Sequence, residues 1–256
     1  MAASPGVAAV VADDLSLRHG SHLAVDGADL CLPAGRLTVI IGPNGSGKST
    51  LLRSISGLQE VGAGTLEVLG GSPRSQRRRV AHVLQAAVVN EAVPITVREV
   101  IGMGTYVRRG LFGRGRDDAV AVDEAMERLG ISDLERRHLG QLSVGQRQRV
   151  MVAQALVQEA DLLLLDEPVA GLDLTSAERI ETIIAAEIER GRTVILTTHD
   201  LDTALTGDHV VLLATKVVAS GRPEEVLTEA HLATAYGGHL HQLPGGGFVL
   251  DDPAPH

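Results

Sequence analysis

An α/β fold is predicted, in which a core of buried strands and helices carries an antiparallel β portion near its start and an inserted block of helices. Three observations predict it. The apolar run Leu37, Val39, Ile40, Ile41 leads straight into GPNGSGKST at Gly42–Thr50, and Leu51, Leu52 and Ile55 then recur on one side of a helix. A second run, Leu162–Leu165, is stopped by Asp166 and Glu167, the pattern of a strand buried on both faces with carboxylates at its C-terminal edge. Between the two runs, from 86 to about 157, strand-like patterning gives way to helical spacing.

In order, Val10–Leu17 and Ala28–Leu32 read as two short strands joined by the polar loop RHGSHLAVDG, an antiparallel ribbon. The helix after the glycine-rich loop opens at Ser49. Thr65–Leu69 is strand-like and ends at the turn Gly70, Gly71; Val80–Leu84 is the next buried strand, ending at Gln85. Past Pro94, Thr96 can cap a helix running through Ile101, and RRGLFGRGRDD reads as a loop. Ala119, Val122, Ala125, Met126 and Leu129 recur at helical spacing, and a further helix runs from about Val144 to Val157. The core resumes with the Leu162–Leu165 strand, a helix from Thr175 to Glu189, and the strand Thr193–Thr198 closed by His199. Short elements follow at Val210–Leu213 and Val217–Ala219, then a Gly- and His-containing tail from about His231. The resulting division is a core of 1–85 and 158–230, a helical subdomain of 86–157 and a tail of 231–256.

Composition narrows the function classes. Of 256 residues 44% are hydrophobic but only 2% aromatic, so the core must be built from Ala, Val, Leu and Ile. A net charge of -9 argues against broad binding to a nucleic-acid backbone, and Arg77, Arg78 and Arg79 read as a solvated face. The single Cys31 cannot form an internal disulfide; it reads as a small buried residue, consistent with a reducing compartment. No apolar run approaches the about 18 residues a membrane span needs, and MAASPGVAAV lacks the basic region of a signal peptide. A soluble chain is expected, with any membrane role running through separate partners.

The loop Gly42–Thr50 matches the P-loop pattern in full. Gly42, Gly45 and Gly47 let the backbone turn tightly enough for successive N–H groups of Gly42, Pro43, Asn44, Gly45, Ser46, Gly47 and Lys48, proline excepted, to form a concave anion site. Lys48 adds a point charge, Ser49 offers a hydroxyl to Mg²⁺, and the helix N-terminus, with Thr50 in its first turn, lies under the same phosphates. The expected ligand is a nucleoside triphosphate. Asp166 can hold Mg²⁺ through water as acids do at this edge in P-loop NTPases, Glu167 can polarise the attacking water, and His199 can contact the γ-phosphate. The bland alternative for Asp166 and Glu167 is a charged strand end facing solvent.

LSVGQ at Leu142–Gln146, followed by RQRVMVAQAL, resembles the signature of the ATP-binding cassette family, usually LSGGQ, with Val144 in place of a glycine. With the P-loop at Gly42–Ser49, Gln85, the Asp166–Glu167 strand, the loop Gly171, Leu172, Asp173 and His199 in order, the chain resembles that family from Val10 to its end. The resemblance implies an ABC-type P-loop NTPase core with an antiparallel β subdomain and an inserted α-helical subdomain. It implies ATP and Mg²⁺ as cofactors, with Glu167 as general base, His199 and Gln85 sensing the γ-phosphate, and Ser49, Gln85 and Asp166 about the metal. It further implies two copies facing head to tail, so that Ser143, the Gly145 backbone and Gln146 of one reach the γ-phosphate held by the other. The position that stacks on adenine matches His19, with His22 a competing candidate.

Pro94–Val97, then Glu99, Val100, Gly102, Met103 and Arg109, Gly110, Leu111, Phe112, resemble the ATPase subunits of zinc and manganese importers, as do Val226–Thr228, Ala235–Gly238 and the ending with Asp251, Asp252 and His256. That resemblance implies a homodimer on the cytoplasmic face of the plasma membrane, docked on separate permease subunits served by an extracytoplasmic metal-binding protein, with no nucleic-acid partner. An iron-chelate or cobalamin importer and a soluble ATP-gated regulatory dimer are the alternative readings. His239, His241 and His256 lack the spacing of a metal site and read as exposed and unligated.

Overall fold

Strict alternation of apolar and polar residues at Ala28, Leu30 and Leu32 commits the start of the chain to a half-buried sheet. The computed structural model describes residues 7–84, 94–109, 116–237, 240–242 and 248–250. The chain divides into two units, residues 1–76 with 195–256, and residues 77–194.

In the first unit β1 (Ala8–His19) and β2 (His22–Pro33) form an antiparallel hairpin. The ribbon is as expected, but its connection is only Gly20 and Ser21: Ala24 and Val25, read as loop, are buried strand residues. Cys31 lies on the exposed face of β2, opposite Val11, rather than in the core. The alternation itself explains this, because Leu30 and Leu32 take the inward positions on either side of it. β3 (Leu37–Ile41) has Val39, Ile40 and Ile41 wholly buried, and α1 (Lys48–Ile55) packs Leu51, Leu52 and Ile55 inward. β4 (Ala63–Val68) pairs with the free edge of β1, giving the order β2-β1-β4. The single turn α2 (Pro73–Gln76) ends this stretch.

The second unit opens with Arg77–Arg79, exposed as expected, with Arg79 paired to Asp161 at 2.6 Å. β5 (Val80–Val83) follows. The insert is α3 (Val97–Met103), α4 (Thr105–Arg109), α5 (Arg116–Arg128) and α6 (Val144–Leu156), the last packing on α3, α5 and β5. Thr96 caps α3 in a capping box with Glu99. Helix thus occupies Arg108, Arg109 and Arg116–Asp118 of the segment read as a loop; Gly110, Leu111 and Phe112 lie outside the described residues. On α5, Val122, Ala125 and Met126 are buried, with Leu129 just beyond it, whereas Ala119 faces solvent. β6 (Leu162–Asp166) is buried throughout and pairs in parallel with β5, Val80 opposite Leu162 and Val83 opposite Leu165. α7 (Leu174–Glu189) packs on α6.

β7 (Thr193–Thr198), buried along its length, returns the chain to the first unit beside β3. After α8 (Leu201–Leu205), β8 (His209–Ala214) runs parallel to β3 with Ile41 opposite Leu212, and β9 (Lys216–Gly221) turns back antiparallel. The order here is β7-β3-β8-β9. Helix continues to Tyr236, within the expected tail. α9 (Pro223–Val226) and α10 (Glu229–Tyr236) pack on β8, with Leu232 and Tyr236 buried and Thr228 capping α10. β10 (Leu240–Gln242) and β11 (Phe248–Leu250) then pair with each other.

Candidate functional site

The glycine-rich loop joins β3 to α1 and is fixed by contacts only glycine allows. A Cβ on Gly42 would lie 1.9 Å from the Leu213 carbonyl oxygen, and one on Gly47, where φ is 101°, would lie 2.3 Å from that of Ala24. Main chain therefore presses on the loop from β8 on one side and β2 on the other. Lys48, 6% exposed, donates from Nζ to the carbonyls of Gly42 at 2.6 Å and Pro43 at 3.1 Å, so its charge is held against the loop. Gly47 has no side chain with which to cap α1, and a helix start of this kind favours an anion. Ser46 Oγ is buried with no hydrogen-bond partner among the described residues. An unsatisfied buried hydroxyl, an uncapped helix start and a buried ammonium in one loop fit a polyanion such as a nucleotide's phosphates.

His19 and His22 face each other across the β1–β2 turn, both exposed. The hairpin thus brings the two candidate base-stacking rings to one place, and β2 carries His22 two residues before the Ala24 that touches Gly47. His199 follows β7 and is exposed. Next to it, Asp200 caps α8 through Thr203 N–H at 2.7 Å. Partial burial opposes ionisation of Asp200, but hydrogen bonds from the Thr203 hydroxyl, from the N–H groups of Thr203 and Asp202, and the neighbouring His199 outweigh it and hold the carboxyl below its ordinary value.

The second unit carries the other group of candidates. Asp166, 2% exposed, ends β6, and Glu167 follows in the left-handed region at φ 48°, a conformation that turns the chain sharply out of the strand. Ser143 and Gln146 cap α6 reciprocally: Ser143 Oγ accepts from Gln146 N–H at 3.2 Å, and Gln146 Oε1 accepts from Ser143 N–H at 3.0 Å. Gly145 is buried between this cap and the next one, since a Cβ there would meet Ser176 Oγ at 2.8 Å and Asp173 Oδ2 at 2.9 Å. Asp173 caps α7, accepting from Ser176 N–H at 2.9 Å and Ser176 Oγ–H at 2.8 Å. These bonds, the hydroxyl's first, hold the Asp173 carboxyl below its ordinary value. Val144, the departure from the usual signature, is 56% exposed. Ser176 was not among the sequence candidates; the Asp-x-x-Ser spacing of a capped helix start is the signal that marks it.

His19, His22, the P-loop and His199 thus belong to the first unit, and Ser143, Gly145, Gln146, Asp166 and Glu167 to the second. Gln85 lies outside the described residues, as do Gly238, His239, Asp251, Asp252 and His256. Among the described residues no group of three or more His, Cys, Asp or Glu could hold a metal ion, and no helix is long and apolar enough to cross a membrane.

A P-loop between a parallel strand and a helix, with an acidic strand end and a capped signature turn, defines a nucleotide-binding protein of the P-loop class. The chain belongs to the ABC transporter family, whose sequence model matches residues 25–170. It is 40% identical over 234 residues to the zinc transport system ATP-binding protein TroB of Treponema pallidum, covering 91% of this chain and 88% of that one. To the manganese transport system ATP-binding protein MntB of Bacillus subtilis it is 37% identical over 230 residues, 89% and 92% of the two chains. In fold it is similar to a chain of an ABC transporter solved in an inward-facing conformation, with a TM-score of 0.80 at 24% identity, over 95% of this chain and 98% of that one.

Proposed function

We propose that this chain is the ATP-hydrolysing subunit of an importer for a divalent metal, zinc or manganese. The observation that carries the reading is likeness along nine tenths of the chain to ATP-binding proteins of a zinc and a manganese transport system. The domain reading is kept with it: a core of 1–85 and 158–230, a helical subdomain of 86–157 and a tail of 231–256.

Lys48 and the N–H groups of the P-loop bind the phosphates, and His19 or His22 offers a ring to the base. The hydroxyl of Ser49 at the start of α1 and the buried Asp166 carboxylate are hard oxygen donors of the kind Mg²⁺ takes, with the amide oxygen of Gln85 as a third. Bound Mg²⁺ supplies positive charge to the phosphate oxygens. Glu167 takes the proton of the attacking water, and His199 hydrogen-bonds the γ-phosphate. Ser143, Gly145 N–H and Gln146, at the N-terminus of α6, bind the γ-phosphate held by a second copy, so ATP closes the pair and its hydrolysis reopens it. Permease subunits in the plasma membrane hold the pair at the cytoplasmic face, and an extracytoplasmic binding protein delivers the metal.

Glu167→Gln tests the catalytic assignment: the variant binds ATP with unchanged affinity and hydrolyses it about 10²- to 10⁴-fold more slowly, the range for losing a general base. Near-normal turnover would sink it. Cells lacking the chain, grown under metal limitation and complemented with either form, test the cargo. Zinc or manganese content falls and only the wild type restores it; unchanged contents of both refute the metal reading while leaving the ATPase reading intact.

A further inference from the structure

The turn between β8 and β9 has one residue at its apex. Ala214 pairs with Lys216, and Thr215 between them sits at φ 64°. A β-branched residue in the left-handed region is strained and is kept there only when its surroundings fix it. Here both main-chain polar groups of Thr215 are engaged: its N–H donates to the Ser46 carbonyl at 3.1 Å, and its carbonyl accepts from Asp26 N–H at 2.8 Å. Lys216 Nζ adds a contact at 3.2 Å to the Asp26 carboxylate. The same end of β8 presses the Leu213 carbonyl against Gly42. Three segments, β2, the P-loop and the β8–β9 turn, are thereby tied together at one residue that takes no part in the sequence motifs.

The peptide unit between Ser46 and Gly47 is trans, so its carbonyl and its N–H point in opposite directions. A carbonyl held towards Thr215 fixes the Gly47 N–H away from the β8–β9 turn. We propose that Thr215 is a positioning residue for phosphate binding: its main-chain N–H, held by the strained turn, sets the direction of the Gly47 N–H in the P-loop. The proposal rests on the reading that Gly42–Thr50 holds the phosphates of ATP.

Because the contact is main chain, backbone variants test it. Thr215→Gly keeps both polar groups and adopts a positive φ freely. Thr215→Pro removes the N–H and locks φ near the opposite sign. ATP affinity is measured by calorimetry with Mg²⁺, at a temperature where thermal unfolding shows each variant folded. Thr215→Gly binds ATP within about twofold of wild type, and Thr215→Pro binds it about tenfold or more weakly, the scale of one hydrogen bond to a charged ligand lost. A purely structural role moves the unfolding temperature of both variants and leaves the affinity of the folded protein unchanged, which overturns the proposal. Equal weakening in both variants overturns it too, by placing the effect in the side chain. Should Thr215→Pro not fold, a glycine inserted after Thr215, which lengthens the turn and slackens the same contact, takes its place with the same expected loss. Lys48→Ala serves as the separate control: unchanged ATP affinity there refutes the P-loop reading itself, whatever Thr215 does.

Discussion

Gly145 and Ser176 approach so closely that a Cβ on Gly145 would stand 2.8 Å from the Ser176 hydroxyl, and 2.9 Å from the Asp173 carboxylate that the hydroxyl bonds. The signature turn that starts α6 and the cap that starts α7 are therefore one packed piece. Ser143 caps the first helix and Asp173 the second, and only a glycine lets the two caps touch.

Gly145→Ala forces one of these caps to give. The expected cost is about 1–2 kcal/mol, the worth of an N-cap. Displacing the signature by part of an ångström lowers ATP turnover by about 10²-fold, while binding of ATP to the P-loop of a single chain stays unchanged. Urea denaturation and steady-state hydrolysis check the two parts. Wild-type stability together with wild-type turnover would mean that the turn accommodates the methyl group and that the packing is incidental.

The Asp173 carboxyl also makes stability depend on pH with a definite sign. Its folded pKa is depressed, chiefly by the Ser176 hydroxyl and then by the Ser176 N–H. Its contribution is thus complete above the unfolded value of about 4 and disappears as pH falls through the lower folded value. Asp173→Asn can still cap α7 through its amide oxygen but cannot titrate. The variant is less stable than wild type at pH 7, and the gap between their urea midpoints narrows as pH falls through and then below the ordinary carboxylate range. A gap that is constant with pH contradicts the assignment.

The parts of the fold legible in the sequence are those where one residue pattern has a single physical meaning. Leu162–Leu165 followed by two acids could only be a strand buried on both faces, and β6 is buried along its whole length. GPNGSGKST could be placed because a strand precedes it and a helix follows it. His19–Gly27 was harder: its histidines, aspartate and glycines carry turn chemistry, yet the burial of Ala24 and Val25 and pairing to β1 keep it extended. Cys31 shows the limit of reading burial from residue type, because position in the alternation, not side-chain polarity, decides which face it takes. In the tail, α10 has only Leu232 and Tyr236 buried, too few apolar residues for a periodic signal; Thr228 as its cap was the readable sign. For the site, the residues of each motif were visible, but the contacts that hold them were not. Ser176 Oγ against Gly145, and the main-chain bond of Thr215 to Ser46, join residues far apart in the chain, to which residue patterns are blind.

Glu187 lies fully buried on α7 and gathers three guanidinium groups, from Arg128, Arg190 and Arg192. Removing the carboxylate strands three positive charges around an uncompensated gap. Breaking a buried pair costs about 3–5 kcal/mol, and because the arginines keep some exposure, Glu187→Ala is expected near about 3 kcal/mol, the lower end of that range. Urea denaturation measures it. A loss below about 1 kcal/mol, the level of a surface ion pair, would show that the arginines relax into solvent and that the cluster does not hold the second unit together.

Gly42 and Gly45 stand in the same loop but do different work. A Cβ at Gly45 meets nothing within 4 Å, so an alanine there suffers only from the positive φ of 76°. That strain is roughly 1–2 kcal/mol. At Gly42 the φ is ordinary, but a Cβ would lie 1.9 Å from the Leu213 carbonyl oxygen, a rigid neighbour that belongs to β8 and cannot rotate away. Gly42 also offers its carbonyl to Lys48 Nζ at 2.6 Å, so any shift of its backbone moves that charge. Gly42→Ala therefore weakens ATP binding by about 10²-fold, the cost of ångström-scale misplacement. Gly45→Ala carries its strain in the free and the bound loop alike, so it lowers stability by about 1–2 kcal/mol and weakens ATP binding far less than Gly42→Ala does. Calorimetric ATP titration of both variants decides the order. If the two lose affinity equally, the loop is held by its own turn conformation alone, and the packing of β8 against it contributes nothing to phosphate binding.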